Sequence, residues 1–546
     1  MQIFSYSVGV KVLLVQPPIE DFYDTSIRTY PLALAYLAGS VSGLCDVSVA
    51  DLRTGSKRVV KQPRLFEELR AFYRDDGYTP FSLFTRFYRF GASPVEIKRI
   101  IEREAPDMVA IASAYTTYSW QALEVARIAK EVSAEVVTVM GGTHATLFPE
   151  HLLRHDFVDY VIRGEGETPF ATLVKSLSSG RDPRSDNIAG LCFRQDGDFH
   201  IGAINIEHNI DVLPDRRHIS ADAYRINRKK YAFFLISRGC PFSCTFCGKP
   251  PVPYRKRSIA SIERELAECL DLGIEAIDFE DDMLNLDRSF FTDVLRLFSH
   301  KGLTLSAMNG IYPATIDVPT LQLMHDAGFC RLNFSLVDAQ EPVLRSQGRA
   351  LPTSFLDLLP WLESSPFLVE THFIIGLPGQ TPRDVVETLI FLMGRRLLMG
   401  PSMFYLAPGS AIFKETFGDV QMSKEPQLGL LRSSVMFPWN ELFPRKTTYT
   451  LMKLVRFINW VKQCLDRTEG LTKLSDLLEV AATRNPHDKE LVKRVLLDKR
   501  FTRYATREQR FIEETHDPDL VRLFFKRAKE AGIKGFKTSN RLLVDV

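Results

Sequence analysis

Two rhythms of hydrophobic and polar positions run along the chain, one after the other. Residues 11–18, KVLLVQPP, form an apolar run that ends in two prolines, the pattern of a buried parallel strand entering a loop. YPLALAYLAGSVSG (30–43) then has helical periodicity, and DVSVADL (46–52) alternates as a strand does. PDMVAIASA (106–114) predicts a strand, SWQALEVARIAKEV (119–132) a helix, and AEVVTVM (134–140) a strand that stops at Gly141-Gly142. DYVIRGEGE (159–167) is a further short strand entering a glycine-containing loop. Strands alternating with helices predict a doubly wound, Rossmann-like parallel α/β sheet over residues 1–185. An aromatic, basic insert at 56–100 breaks the rhythm and receives no placement.

Residues 180–225 are polar, with RDPRSD and LPDRRH, and read as a linker with a short hairpin, the linker domain being set at 186–225. The strand-helix rhythm restarts with YAFFLISRG (231–239). Helix SIASIERELAECLDLG is apolar at 259, 262, 266 and 270 and closes at Gly273. Strand IEAIDFEDD (274–282) follows, then units around TLSAMNG, CRLNFSLVD and LVETHFIIGLPG. This predicts a partial, TIM-like (β/α)6 barrel over 226–415, with its active site at the C-terminal ends of the strands. Residues 416–546 read as a helical region, DKELVKRVLLDKRF and DPDLVRLFFKRAKEAG being amphipathic. A length of 546 residues asks for about three domains in any case.

Charge adds little to this picture. Lys+Arg number 69 against Asp+Glu 67, a net +2, so no nucleic-acid partner is expected and the KR pairs of the C-terminal region read as a solvated face. No apolar run reaches the roughly 18 residues of a membrane span, since LIFLMGRRLLMG is cut by Arg395 and Arg396. The N-terminus has no basic start before its apolar stretch and no small-residue cleavage site, so no secretion is expected. Of eight cysteines, Cys45, Cys192, Cys269, Cys330 and Cys464 stand alone, which is no disulfide framework and fits a reducing cytoplasm.

The remaining three are crowded. CPFSCTFC sets thiols at 240, 244 and 247, directly after a buried strand. Three thiolates can bind three irons of a 4Fe-4S cubane and leave the fourth iron open to a ligand. A structural zinc site would ask for four ligands in paired spacing, and the nearest histidines, His208 and His218, lie upstream without finger-like spacing. Three unrelated buried cysteines are the remaining alternative.

With this signature, CxxxCxxC, and the aromatic Phe246 before its last cysteine, residues 226–415 resemble the radical S-adenosylmethionine (SAM) superfamily. The resemblance implies that Cys240, Cys244 and Cys247 hold the cluster and that the amino and carboxylate groups of SAM chelate the open iron. It also implies that EDD at 280–282 meets the SAM amine, with Asp281 as the contact. Asn309 and Ser335, at later strand ends, would meet the SAM carboxylate and ribose. GLPGQT (376–381) resembles the glycine-rich turn of that family, with Gln380 where relatives often carry Glu. SLVDA (335–339) also departs from the usual glutamate before a serine or glycine.

The N-terminal pieces KVLLVQPP, YPLALAYLAG, PDMVAIASA, VMGGTHATLFPE and VDYVIRGEGE, in that order, resemble the cobalamin-binding domain found before radical SAM barrels. The resemblance assigns Gly141, Gly142 and Thr143 to the cofactor's tail. The loop after the first strand, QPPIEDFYDTS, contains no histidine, so the cobalt is expected to lack a histidine ligand, with His144 poorly placed to reach it. Glu165 and Glu167 read as structural residues that hold a loop or cap a helix.

Together these resemblances imply a cobalamin-dependent radical SAM enzyme that methylates an unactivated carbon of a small-molecule or natural-product-like substrate. An external electron donor such as flavodoxin or ferredoxin would reduce the cluster. No catalytic side chain beyond the cofactor ligands is legible. Rival readings are a cyclase or ring-rearranging enzyme with the same cofactors, and a non-catalytic redox sensor or electron-transfer module. A methylthiolating RNA enzyme would need further cysteines in the first domain, which has only Cys45 and Cys192.

Overall fold

The structure is a computed structural model that describes residues 9–23, 30–249, 252–349, 353–418, 428–468, 474–531, 535–537 and 543–545. Seven strands form the N-terminal sheet: β1 Lys11–Gln16, β2 Asp46–Asp51, β3 Met108–Ala112, β4 Val137–Gly141, β5 Tyr160–Ile162, β6 Leu191–Gln195 and β7 Asp198–Ile201. Their spatial order is 7-6-5-4-3-1-2. The five from β2 to β5 through β1 are parallel. The run KVLLV is apolar throughout because both faces are covered. Leu13 and Val15 enter one core cluster, Val12 and Leu14 the other.

The predicted hairpin exists, but β6 pairs antiparallel with β5, so the N-terminal sheet extends past residue 185 to Ile201. Sequence order reverses between β1 and β3, which opens a crevice at their C-terminal ends.

Six further parallel strands build the barrel: β8 Lys229–Phe234, β9 Ala276–Phe279, β10 Thr304–Ser306, β11 Arg331–Val337, β12 Leu368–Ile375 and β13 Leu398–Met403. Between β10 and β11 the ladder thins to isolated parallel bridges, Leu305 with Phe329 and Ile311 with Phe334. Helix Ile259–Asp271 is capped by Ser258, which accepts from Ser261 N, and Gly273 beyond it takes φ +71°.

The C-terminal region is helical, led by Arg445–Arg467 and Pro518–Glu530, and also holds the hairpin Thr502–Ala505/Arg510–Glu513. That hairpin pairs with Gly77–Tyr78 of the insert. The insert's aromatics are the reason: Phe81 packs its ring against Phe457, Trp460 and Phe501 at 5.4–6.0 Å. The segment that breaks the N-terminal rhythm therefore packs against the C-terminal region. Among the described residues, no helix is long and apolar enough to cross a membrane.

Candidate functional site at the domain junction

After β8 the chain forms a neck. Ser237–Arg238 pairs antiparallel with Arg255–Lys256, and the cysteine loop lies between these two arms. Gly239 enters the loop at φ +89°, where any Cβ would strike the Pro253 carbonyl. Cys247 N donates to Cys244 O at 3.0 Å, closing a tight turn. Thr245, between them, is anchored by its hydroxyl on Gln347 Oε1 at 2.6 Å.

All three thiols are half-buried. Burial pushes the Cys240 thiol up, and the charges of Cys244 and Cys247 add to that, so the three sulfurs lie within electrostatic reach of one another. Among the described residues they do not converge on a single metal-ion position. A cubane does not ask for that, because each thiolate binds a different iron. Arg349, which sequence reasoning missed, donates to Cys244 Sγ at 3.7 Å and to the Ser335 carbonyl at 3.2 Å.

The acidic run at the end of β9 divides differently from the expectation. Asp281 is 2% exposed, and its carboxylate accepts from Ile236 N, Ser237 N and Ser237 Oγ. Burial pushes its carboxyl up to about 7 against the pull of those hydrogen bonds. It holds the first arm of the neck, with its carboxylate committed to Ile236 and Ser237. Its neighbours point outward: Asp282 pairs with Lys249, and Glu280 accepts from Asn309 Nδ2 through its carbonyl at 2.9 Å and through Oε2 at 3.2 Å.

Asp278 fixes the loop that presents Asn309, accepting from Ser306 Oγ and Met308 N. Ser335 lies next to this loop, 3.5 Å from where a Cβ on Gly310 would stand. It begins a bulge that leaves Val337 at φ +70°, a strained setting for a β-branched residue. Phe246 packs on the apolar cluster that contains Leu344, Phe404 and Leu406. Arg349 thus links Ser335 to Cys244 of the cysteine loop, and Asp281 holds the neck of that loop.

At the C-terminal ends of β1, β3, β4 and β5 lies a cleft of about 400 Å³. Its depth is apolar, with Leu34, Leu37, Val139, Met140, Ile162 and Phe170, while Tyr115, Glu165, Glu167 and Arg238 stand at its polar side. Gly141 and Gly142 line it. Thr143 is exposed at the start of helix Thr143–Leu147 and is not among its walls. A Cβ on Gly141 would meet only the Ile162 carbonyl, at 4.0 Å, so a side chain there would grow into the cleft. Gly142 is needed for another reason: at φ +113° its Cβ would lie 2.9 Å from the Ser113 backbone.

His144 is fully buried, its ring nitrogens engaged with Thr116 Oγ1 at 3.3 Å and His151 Nδ1 at 3.2 Å. Burial, with the His151 charge behind it, lowers its pKa to about 3, so the ring is a neutral core residue.

Loop 407–409 closes the junction. A side chain at Gly248 would strike the Pro408 carbonyl, and one at Gly409 would press on Leu147 of the glycine-turn helix. Loop 407–409 therefore packs between the cysteine loop and the helix that follows Gly141-Gly142.

Comparison with known proteins agrees with this division. Residues 69–174 match the B12 binding domain and residues 234–392 the radical SAM superfamily. An uncharacterized methyltransferase of Pyrococcus horikoshii is 28% identical over 419 residues, covering 74% of this chain and 83% of the relative. An anaerobic magnesium-protoporphyrin IX monomethyl ester cyclase of Rubrivivax gelatinosus is 25% identical, covering 59% of this chain and 60% of the cyclase. In fold, the chain is similar to the cobalamin-dependent S-adenosylmethionine radical enzyme OxsB with aqua-cobalamin and S-adenosylmethionine bound. That likeness has a TM-score of 0.60 and 11% identity, and covers 96% of this chain and 80% of that one. The chain thus carries a B12-binding domain leading into a radical SAM domain, and its relatives include methyltransferases.

Proposed function

We propose that this protein transfers a methyl group from SAM to an unactivated carbon of a small-molecule substrate bound between the cysteine loop and the cleft. One observation carries the reading: Arg238, two residues before Cys240, is both an arm of the cysteine-loop neck and a wall of the cleft. When bound, the cluster with SAM supplies hydrogen-atom abstraction, and the corrinoid supplies a transferable methyl group.

The chain's own residues bind and orient. Cys240, Cys244 and Cys247 would ligate the cluster. Glu280 would accept from the SAM amine, and Asn309, Ser335 and Arg349 would meet its carboxylate and ribose. Gly141 and the apolar walls suit the corrinoid tail, and among the described residues no histidine lines the cleft. The loop at 407–409 would exclude water from the junction. Two electrons per turnover must enter from outside, one for the reductive cleavage of SAM and one to restore the corrinoid, and a flavodoxin or ferredoxin in a reducing cytoplasm is the donor we propose.

The test is anaerobic turnover with methyl-deuterated SAM and a small-molecule extract of the source cells. Methylation is expected to give a labelled metabolite together with S-adenosylhomocysteine and 5′-deoxyadenosine, about one of each per product. Release of 5′-deoxyadenosine alone, with no label transferred, would instead favour the non-methylating chemistry that the similarity to a cyclase allows.

A further inference from the structure

The neck of the cysteine loop is held by very little backbone. Its two arms share one two-residue ladder, Ser237 with Lys256 and Arg238 with Arg255, and so short a pairing is marginal by itself. What grips both arms is a carboxylate from the other domain. Glu165, in the loop after β5, accepts from Arg255 on the second arm through both oxygens, at 2.7 and 3.0 Å. It also accepts from Arg238 on the first arm at 3.3 Å. Glu167 takes the other Arg238 nitrogen at 2.5 Å.

The group is desolvated, with side-chain exposures of 13% for Arg238, 22% for Glu165 and 8% for Glu167. It is also pinned from behind. Glu207 N donates to Glu165 Oε2 at 2.6 Å, Arg255 donates to the Glu207 carbonyl at 2.5 Å, and Asn205 Nδ2 donates to the Glu165 carbonyl at 2.7 Å. Glu165, Glu167 and Arg238 are meanwhile walls of the cleft, and Arg238 lies over Tyr36, another wall, at 4.9 Å.

Resting on the cofactor assignment above, we propose that Glu165 is a positioning residue that couples the two cofactor sites: filling the cleft with a corrinoid clamps the neck of the cysteine loop and so tightens SAM binding. The sign follows from solvation and order. In an open cleft, water competes for the Glu165–Arg238 and Glu167–Arg238 contacts, and the arms can separate. A ligand that fills the cleft removes that water, strengthens the ion pairs and orders the loop before SAM arrives, so SAM meets a smaller ordering cost. Linkage makes the effect reciprocal, so SAM must tighten corrinoid binding by the same factor.

The experiment uses full-length, cluster-reconstituted protein under anaerobic conditions. Hydroxocobalamin binding is measured first by its visible spectrum after gel filtration, and the Kd for SAM is then measured by ultrafiltration with and without saturating hydroxocobalamin. The expected result is a SAM Kd lowered by about fivefold or more when the cleft is filled, within the usual span of coupling between sites. Glu165→Gln keeps hydrogen-bonding capacity but not charge. It is expected to bind each ligand with its cluster intact, to bring the ratio close to one, and to lose any corrinoid-induced change in the electron paramagnetic resonance spectrum of the reduced cluster. Glu167→Gln, which leaves the second arm held, should reduce the ratio in part.

Equal SAM affinities in wild-type protein that has bound hydroxocobalamin would overturn the coupling and leave the cofactor assignment standing. Full coupling retained in Glu165→Gln would overturn the role of Glu165. Protein that never takes up hydroxocobalamin would overturn both.

Discussion

Gln380 donates from its amide nitrogen to the buried carboxylate of Asp338 at 2.5 Å, and to the Ile374 carbonyl at 3.0 Å. Its amide oxygen accepts from Gly376 N and Leu377 N. One side chain thus folds the glycine-rich turn and fastens it to the end of β11. The two departures from the resembled pattern, Gln380 and the aspartate of SLVDA, are halves of one pairing. Both residues are 1% exposed. Gln380→Glu would set two carboxylates against each other in the core and orphan the Ile374 carbonyl, at a cost of about 3 kcal/mol. A lower denaturant midpoint should show it, and adding Asp338→Asn should recover part of the loss.

The cysteines sort by position. Anaerobically reconstituted wild-type protein should carry about four irons per chain. Cys240→Ala, Cys244→Ala and Cys247→Ala should each lose cluster iron and SAM cleavage. Cys269→Ala lies in the barrel core on helix Ile259–Asp271 and should keep both. Iron analysis with a 5′-deoxyadenosine assay on the four variants decides it.

The adjacent glycines should fail in different ways. Gly141→Val projects into the cleft, so the protein should fold with near-normal stability and lose cobalamin on gel filtration. Gly142→Val meets the Ser113 backbone from a positive-φ residue and should destabilise the domain by about 1–3 kcal/mol. Thermal unfolding of the two variants without cofactor separates strain from obstruction.

The buried histidine pair predicts an acid sensitivity. Burial lowers His144 to about 3 and, with His155 and Arg154 behind it, His151 to about 4, from ordinary values of 6.5. Between about pH 6.5 and pH 4 the unfolded chain therefore binds more protons than the folded one. Stability should be full above about pH 7 and fall as pH drops through that window, by up to about 1.4 kcal/mol per pH unit for each histidine. Denaturant unfolding at pH 7.5 and pH 5 should show the slope, and His144→Gln should flatten it.

Several features were legible because they are local. Burial on both faces of a parallel sheet makes a continuous apolar run, and KVLLV reads that way. CPFSCTFC is a complete ligand set within eight residues, independent of anything distant.

Other features depended on where distant elements meet. EDD offers three carboxylates in a row, and nothing local says that the middle one turns inward. Asp281 does so because Ile236 and Ser237 bring unpaired donors beneath it from 44 and 45 residues earlier in the chain. Arg349 carries no signal in its own segment and gains a role only where β11 and the cysteine loop converge. The insert's aromatics found partners near residues 457–501, about 400 residues onward. Glu165 read as a loop holder until the fold laid both arms of the neck against it. Strand and helix are dictated by neighbours two to four residues apart, because burial alternates with that period. A polar side chain's job is set by which donor or acceptor tertiary packing leaves beside it, and that only the folded chain decides.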